Sequence, residues 1–346
     1  MLRIAINGYG RIGRSVLRAL IGSPLSESMR VVAINEPADL ATIAHLTRYD
    51  STHGRFKGEL AVEETGLRIN GDFVAVSHET DLAALPWSEL DIDLLLECSG
   101  TEIASDALAA HLQAGAKRVL LSQPGESDIP AIVYGLNEQI LSADIRIASA
   151  ASCTSNGITP AIKVLHREFD IVSGSITTIH SAMNDQPVLD AYHHTDLRKT
   201  RSAGLSIIPV DTGLAAGIGR VLPDMADRFT ATALRVPTHN VSAMELTVHV
   251  NRTVSEASVN AALKLASESD LAGILGYTEE PLASCDFLQD PRSGIVDAGQ
   301  TRVSGQLVNI LVWFDNEWAF AHRMLDVAAH WCLNRAGEDA APRTSL

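Results

Sequence analysis

The sequence holds no run of apolar residues approaching the ~18 that a membrane-spanning helix needs. Its opening, "MLRIAINGYGRIGR", interrupts every apolar stretch with a charge before a secretory core could form. A cytoplasmic location with no membrane partner is the expectation. Cysteine is scarce. Cys98, Cys153, Cys285 and Cys332 stand 55, 132 and 47 residues apart, so there is no CxxC pair, no metal site is expected, and free thiols in a reducing compartment are. Positive charge is short as well: 27 Lys and Arg against 42 Asp and Glu leave a formal net charge of -15. The chain lacks the basic face that displaces counterions from nucleic acid, so no nucleic-acid partner is expected. A local basic pocket for a small anion is still compatible with that balance. There is no internal repeat and no low-complexity linker.

What is present is a globular composition, 46% hydrophobic and 20% charged. With 346 residues the chain is too long for one core, and two domains are expected. In the first half, "RIAIN" (3–7), "RVVAIN" (30–35), "DLLLECS" (93–99), "RVLLS" (118–122) and "IRIAS" (145–149) read as buried parallel strands. Helix-period segments at 11–22, 38–48 and 103–114 alternate with them. The pattern predicts a doubly wound α/β domain of Rossmann type over 1–152, with a loop and a small antiparallel insertion at 50–78. After Cys153 a helix (about 153–168) precedes long β-rich runs at 173–183, 229–237, 242–251 and 306–314. These predict an α+β domain over 153–316 with a largely antiparallel sheet. The stretch 185–207 has no period and is long for a connection, which marks functional loops. An amphipathic helix (317–334) and a disordered polar tail (335–346) complete the expectation.

Gly8-Tyr9-Gly10-Arg11-Ile12-Gly13 is a G-x-G-x-x-G that follows a predicted strand and opens a predicted helix. The first glycine suits the tight turn, the second the approach of a pyrophosphate, and the third the packing of helix on sheet. The helix N-terminus offers free N–H groups to the anion. Such a motif alone also describes a glycine-rich strand-to-helix turn. Glu36, 23 residues after Gly13 and at the end of the next strand, adds the carboxylate that accepts ribose hydroxyls and repels a 2'-phosphate. NAD is therefore expected rather than NADP.

Cys153 lies in "ASAASCTSNG", among hydroxyl and amide groups rather than the apolar neighbours of a packing cysteine. A strand precedes it and a helix follows, so its sulfur belongs near a helix N-terminus, where a thiolate is stabilised and the thiol pKa falls below about 8.5. His180 ends the strand "SITTIH" and opens the irregular loop, making it the candidate base. A thiol nucleophile beside NAD implies aldehyde oxidation through a thiohemiacetal and a thioester. Either residue alone would be read as inert or as a surface group.

Seven segments, "INGYGRIGR", "YDSTHGRF", "ASCTSNG", "TTIH", "IIPVDTG", "RVPT" and "WFDNEW", occur in order over nearly the whole chain. Together they resemble the phosphorylating glyceraldehyde-3-phosphate dehydrogenases and their relatives, the erythrose-4-phosphate dehydrogenases. The resemblance implies a C-terminal helix returning to the NAD domain and a homotetramer. It also implies a cofactor set of Gly8, Gly10, Arg11, Ile12, Gly13, Glu36, Ser122 and Asn316, with Arg11 and Ile12 at the pyrophosphate and Asn316 at the nicotinamide carboxamide. Cys153 resembles the nucleophile and His180 its base. Ser152, Thr154, Lys199, Thr212, Gly213 and Arg235 resemble the substrate and phosphate contacts.

Two departures bear on the substrate. Where glyceraldehyde enzymes commonly read "HAYTATQ", this chain reads "HSAMNDQ". Met183 has no hydrogen to donate to a phosphate and Asp185 would repel one. The wording "HSAMNDQPVLDAYH" is similar to that of the erythrose-4-phosphate enzymes. The expected reaction is thus NAD-dependent oxidation of D-erythrose 4-phosphate, with water resolving the thioester, in pyridoxal 5'-phosphate biosynthesis. Glyceraldehyde 3-phosphate oxidation is the alternative, favoured by the shared "DTG" with Gly213. A non-catalytic NAD-binding protein is the alternative of another class. Gly157 replaces a cysteine common four residues after the nucleophile, and Thr80 stands where some relatives have an arginine near the cofactor.

Overall fold

The computed structural model describes residues 1–101, 104–193 and 195–333; Asn334 and the expected tail lie outside the described residues. The first half runs β1 (Leu2–Asn7), α1 (Arg11–Ile21), β2 (Met29–Asn35), α2 (Leu40–Arg48), β3 (Tyr49–Asp50), β4 (Gly54–Arg55), β5 (Leu60–Glu63), β6 (Gly66–Ile69), β7 (Asp72–Ser77), β8 (Leu94–Glu97), α3 (Ser105–Gln113), β9 (Val119–Leu121) and β10 (Ile147–Ser149). An eight-stranded sheet forms in the order β10-β9-β8-β1-β2-β7-β6-β5. Its pairs from β10 to β7 are all parallel. Read from β7, these six strands follow the 3-2-1-4-5-6 order of a Rossmann sheet, and the switch point lies between β1 and β8. Ile4, Ala5 and Ile6 are all fully buried, which is why β1 reads as continuous apolar sequence: both faces of the strand are covered.

The second half runs α4 (Cys153–Phe169), β11 (Ile171–Ser181), β12 (Ile208–Val210), α5 (Leu214–Val221), β13 (Phe229–Val236), β14 (Ser242–Val250), α6 (Glu256–Glu268), β15 (Leu275–Thr278), β16 (Gly294–Ser304), β17 (Leu307–Phe314) and α7 (Trp318–Leu333). Its sheet has the order β12-β13-β11-β14-β17-β16-β15. Pairing is mixed: β12–β13, β11–β14, β14–β17 and β16–β17 are antiparallel, while β11–β13 and β15–β16 are parallel. The apolar face of α4 (Ile158, Ile162, Leu165) buries against this sheet, in one core with Met244, Val312 and Phe314. α7 turns back: Phe320, Met324, Leu325 and Trp331 share the core of β1, β2 and α1.

One expectation is modified and two strands were missed. The antiparallel pairing expected within 50–78 is present in β5–β6 and β6–β7, but it is continuous with the main sheet. β5 and β6 extend the main sheet antiparallel, and β7 is its third parallel strand. Its polar residues mislead because they lie at the sheet edge, where one side faces water. β15 and β16 escaped notice because "GIVDAGQTRVS" mixes glycine and charge and lacks a clear period.

Gly157 marks a close approach of α4 to β16. A Cβ on Gly294 would fall 2.2 Å from the Gly157 carbonyl oxygen, and one on Gly157 would meet Met244 Cε at 2.8 Å and Ser293 O at 3.2 Å. A cysteine at 157 would have to displace Met244. Backbone yields less readily than a methionine end. Gly294→Ala is therefore expected to destabilise the fold by about 1–3 kcal/mol, and Gly157→Ala by less. Urea unfolding of both variants checks the order, and equal losses would show that the helix shifts freely.

Candidate active site

The crevice at the switch point is set by glycines. Gly8 has φ 82°, and a Cβ there would lie 2.3 Å from Ser99 Cα in the loop after β8. A Cβ on Gly13 would lie 2.4 Å from the Gly8 carbonyl oxygen, so only glycine lets α1 start this close to β1. At Gly10 an added Cβ meets nothing within 4 Å; this side of the loop is open. Gly10 is the N-cap of α1 and offers no capping side chain, and the first turn contains no acidic residue. The first N–H groups are thus left for an anion. Glu36 accepts the Tyr9 N–H at 2.8 Å and stands at the mouth of this loop. The donor set fits a dinucleotide: a glycine-lined N-terminus for a pyrophosphate and a carboxylate for ribose hydroxyls.

Beneath the crevice, Glu97 is buried and accepts hydrogen bonds from Asn7 Nδ2 (2.5 Å), Ser99 N (2.8 Å) and His111 Nε2 (3.1 Å). Burial alone would raise its pKa, yet the bonds from His111, Ser99 and Asn7 hold the carboxyl below its ordinary value. Ser122, at the end of β9, gives its N–H to the Glu97 carbonyl (2.9 Å), and Thr80 gives its own to Glu79 Oε1 (2.8 Å). Ile12 follows Arg11 in the first turn of α1. The Arg11 guanidinium, however, is held by Glu317 (Nε to Oε1, 2.8 Å) and Asp50. Any pyrophosphate contact from this position falls to the backbone.

Cys153 opens α4. The chain reaches it from β10 through Ala151, which holds φ 59°, and Ser149 Oγ accepts the Ala151 N–H at 2.9 Å. A left-handed alanine costs on the order of 1 kcal/mol or more, and the surrounding bonds hold it. Asn156 Nδ2 donates to the carbonyls of Ala150 (2.8 Å) and Ser152 (2.9 Å). Ser152 is the N-cap, its Oγ accepting the Ser155 N–H at 3.0 Å and lying 3.0 Å from Thr154 Oγ1. The thiol is left facing His180: Sγ to Nε2 is 3.8 Å.

His180 Nδ1 lies 2.8 Å from the Ser181 carbonyl oxygen. A carbonyl only accepts, so Nδ1 carries the hydrogen and, in the neutral ring, Nε2 presents its lone pair to sulfur. Burial lowers the His180 pKa to about 4, with Ser181 opposing and Arg235 adding to the fall. Burial also pushes the Cys153 thiol up to about 11, against the lowering effects of the Thr154 N–H and Arg235. This corrects the expectation of a depressed thiol pKa. Desolvation outweighs the Thr154 N–H and Arg235, which favours a neutral thiol beside a neutral imidazole.

In the β11–β13 pairing, Arg235 stands directly opposite His180. Asp185 Oδ2 accepts Lys199 Nζ at 3.0 Å and Oδ1 accepts Arg235 Nη1 at 3.3 Å. Although burial would raise it, Lys199 and Arg235 lower the Asp185 pKa. The carboxylate is thus no bare repulsive charge, as the sequence suggested: two cations and one anion leave the group at +1. Met183 N–H donates to Gln186 Oε1 (2.9 Å) in the turn beside Arg235, and its side chain has nothing to offer a phosphate. Thr212 Oγ1 accepts the Leu214 N–H (3.2 Å), and Gly213 is the N-cap of α5. α5 packs close to the first turn of α4, since a Cβ on Gly217 would lie 3.0 Å from Ser155 Oγ.

Asn316 is buried, and its Oδ1 accepts the hydroxyls of Ser181 (3.0 Å) and Ser242 (2.9 Å). This orients the amide so that its NH2 is the group with donors to give. Ser181, Ser242, Asn156 and Glu317 were not singled out from the sequence. Ser181 and Ser242 bond to Asn316, and Glu317 to Arg11, across 74 to 306 residues, so no local spacing signals them, whereas Asn156 bonds to carbonyls four and six residues before it. A cavity of about 670 Å³ opens beside the His180 loop, between Arg11, Thr52, Met183, Gln186 and Glu317.

Residues 2–105 match the family model described as the NAD binding domain of glyceraldehyde 3-phosphate dehydrogenase. Residues 152–316 match that of the same family's C-terminal domain.

With the thiol near 11, its thiolate fraction should climb with pH. Iodoacetamide alkylation of Cys153 in the absence of cofactor is expected to accelerate about tenfold per pH unit up to about pH 10. A plateau between pH 6 and 8 would instead reveal a preformed thiolate–imidazolium pair and contradict the neutral resting state.

Proposed function

From the premise that this chain belongs to the glyceraldehyde-3-phosphate dehydrogenase family and is an NAD-dependent dehydrogenase, we propose that it oxidises D-erythrose 4-phosphate to 4-phosphoerythronate and resolves the acyl-enzyme with water. The observation that carries the chemistry is Cys153 Sγ at 3.8 Å from a His180 Nε2 whose tautomer is set by Ser181. In this reading residues 1–152 carry the cofactor and 153–316 the substrate, and the helix from 317 returns to the first unit.

His180 Nε2 takes the thiol proton as Sγ adds to the aldehyde carbon. The resulting imidazolium, a poor ion in so desolvated a place, donates Nε2–H to the developing oxyanion, and the Cys153 backbone N–H at the helix start joins it. When bound, NAD supplies the hydride acceptor, and oxidation leaves an acyl thioester on Cys153. His180, its proton released, then serves as base for a water that attacks the thioester carbonyl. Asn316 NH2 is placed to hold a carboxamide oxygen, and the α1 N-terminus and Glu36 to hold the rest of the cofactor.

The substrate assignment is supported by the turn after His180. Met183 supplies no donor, so the phosphate relies on Arg235, Lys199 and the Thr212–Gly213 helix start, and Ser152 and Thr154 offer hydroxyls near the carbonyl. The longer four-carbon sugar phosphate suits a pocket whose donors are withdrawn from the turn. The reaction class feeds pyridoxal 5'-phosphate biosynthesis, in keeping with the resemblance of "HSAMNDQPVLDAYH". The Thr212–Gly213 start, shared with the glyceraldehyde enzymes, favours glyceraldehyde 3-phosphate as the second reading.

We extend the proposal to a homotetramer. Val188, Leu189, Tyr192, Leu197 and Leu205 are exposed together on the loop after His180, an apolar display that suits self-association. Light scattering should return four copies of the 37.0 kDa chain; a monomer at micromolar concentration would reject it.

Initial NADH formation from each aldehyde, with and without inorganic phosphate, tests the substrate. Erythrose 4-phosphate is expected to be the faster substrate, by about tenfold or more in kcat/KM, without need of phosphate. Faster, phosphate-dependent turnover of glyceraldehyde 3-phosphate would establish the second reading. Cys153→Ser should abolish turnover of both.

A further inference from the structure

We propose that Arg11 and Glu317 form a positioning pair that sets the relation between the two ends of the cofactor site. The inference rests on the reading of Asn316 as the nicotinamide contact and of the glycine loop as the pyrophosphate contact. Arg11 is the first residue of α1, whose N–H groups face the anion, and Glu317 is joined by one peptide bond to Asn316. The two side chains meet as a fork: Arg11 Nε donates to Glu317 Oε1 at 2.8 Å and Nη2 to Oε2. Two parallel bonds fix an angle as well as a distance, which a single ammonium could not do.

The pair is embedded in a part-buried ionic joint. Arg11 also donates to both oxygens of Asp50, whose Oδ1 accepts the N–H groups of Thr52 and His53 at 2.9 Å each. Despite its burial, Arg11 and those N–H groups hold Asp50 well below the usual carboxylate range. The His53 ring lies 3.7 Å from Glu317 and 3.9 Å from Asp315, its Nε2 buried and, among the described residues, without a hydrogen-bond partner. Asp315 caps α7 through the N–H groups of Glu317 (3.0 Å) and Trp318 (2.8 Å) and is held by Asn240 Nδ2 (2.8 Å) and Gln289 N (2.9 Å). Gln289 Nε2 in turn reaches the His53 carbonyl (3.0 Å).

Among the described residues, Arg11 is the guanidinium paired with both Asp50 and Glu317. Arg11 bridges two of the carboxylates directly, with Arg14 acting on both from farther off, and the joint is intolerant of displacement because a partner that moves leaves a desolvated charge behind. The segments that hold opposite ends of one ligand are thereby kept in register through contacts that need not touch it.

The test compares NAD with ADP-ribose, which lacks the nicotinamide, by calorimetric titration. Glu317→Gln keeps the shape and loses the charged fork. It is expected to leave ADP-ribose affinity within about twofold while cutting the NAD-to-ADP-ribose affinity ratio by about tenfold, and to lower kcat more than it raises KM for NAD. Arg11→Lys, which keeps the charge without the fork, should do the same and covers the case in which Glu317→Gln fails to fold. On an Asn316→Ala background Glu317→Gln should add nothing to the ratio. A ratio unchanged in Glu317→Gln and Arg11→Lys but reduced in Asn316→Ala would overturn the positioning pair and leave the site reading intact. A ratio unchanged in Asn316→Ala would defeat the reading itself.

Discussion

The hydrogen bond from His180 Nδ1 to the Ser181 carbonyl decides which ring nitrogen meets the thiol, and the chemistry of the site follows from it. Were the ring turned over, an N–H would face a neutral S–H and no proton could move. Because the acceptor is the adjacent residue's own backbone, the choice costs no additional side chain. The extended strand places the ring, and the end of β11 releases that carbonyl from the sheet ladder. Ser181 then serves twice, since its hydroxyl holds Asn316 Oδ1. One short segment thus orients the base on one side and the amide for the cofactor on the other.

The same economy of charge appears at the anion pocket. A chain of net charge -15 still gathers Arg235, directly opposite His180, and Lys199, and it places Asp185 between them. Without that carboxylate the two cations would repel each other in a part-buried place, and a phosphate would be needed merely to hold them. With it, the pocket is formed in advance at +1, sufficient to attract a phosphate monoester yet less able to gather a second anion.

Most of the first sheet was legible because parallel strands buried on both faces announce themselves as apolar runs, as "RIAIN" and "RVVAIN" do. The glycine motif was legible for a local reason too: Gly8 and Gly13 answer steric demands made by residues within the turn or directly across from it, while Gly10 leaves the loop open on one side. Cys153 and His180 could be paired only through the chemical logic of a thiol beside a dinucleotide, since nothing local links residues 27 apart in sequence. β7 and β16 were misread or missed because each pairs parallel on one side and antiparallel on the other, and their glycine, charged and polar residues blur the alternation. Glu317, Ser242 and Asp50 were silent, since a carboxylate or serine gains its role from partners contributed by distant segments.

The long-range ion pairs explain why the two halves of the chain need each other. The α7 helix packs its apolar face on α1, which by itself would tolerate sliding, because apolar contact is not directional. Arg11, at the start of α1, and Glu317, directly before α7, remove that freedom at the end nearest the chemistry. Hydrophobic packing therefore supplies the strength of the junction and the ionic fork its register. For an NAD-dependent dehydrogenase, which must present one end of a long cofactor to its substrate, register is the quantity that matters. A junction held by packing alone could be equally stable and still misplace the reacting atoms by an ångström.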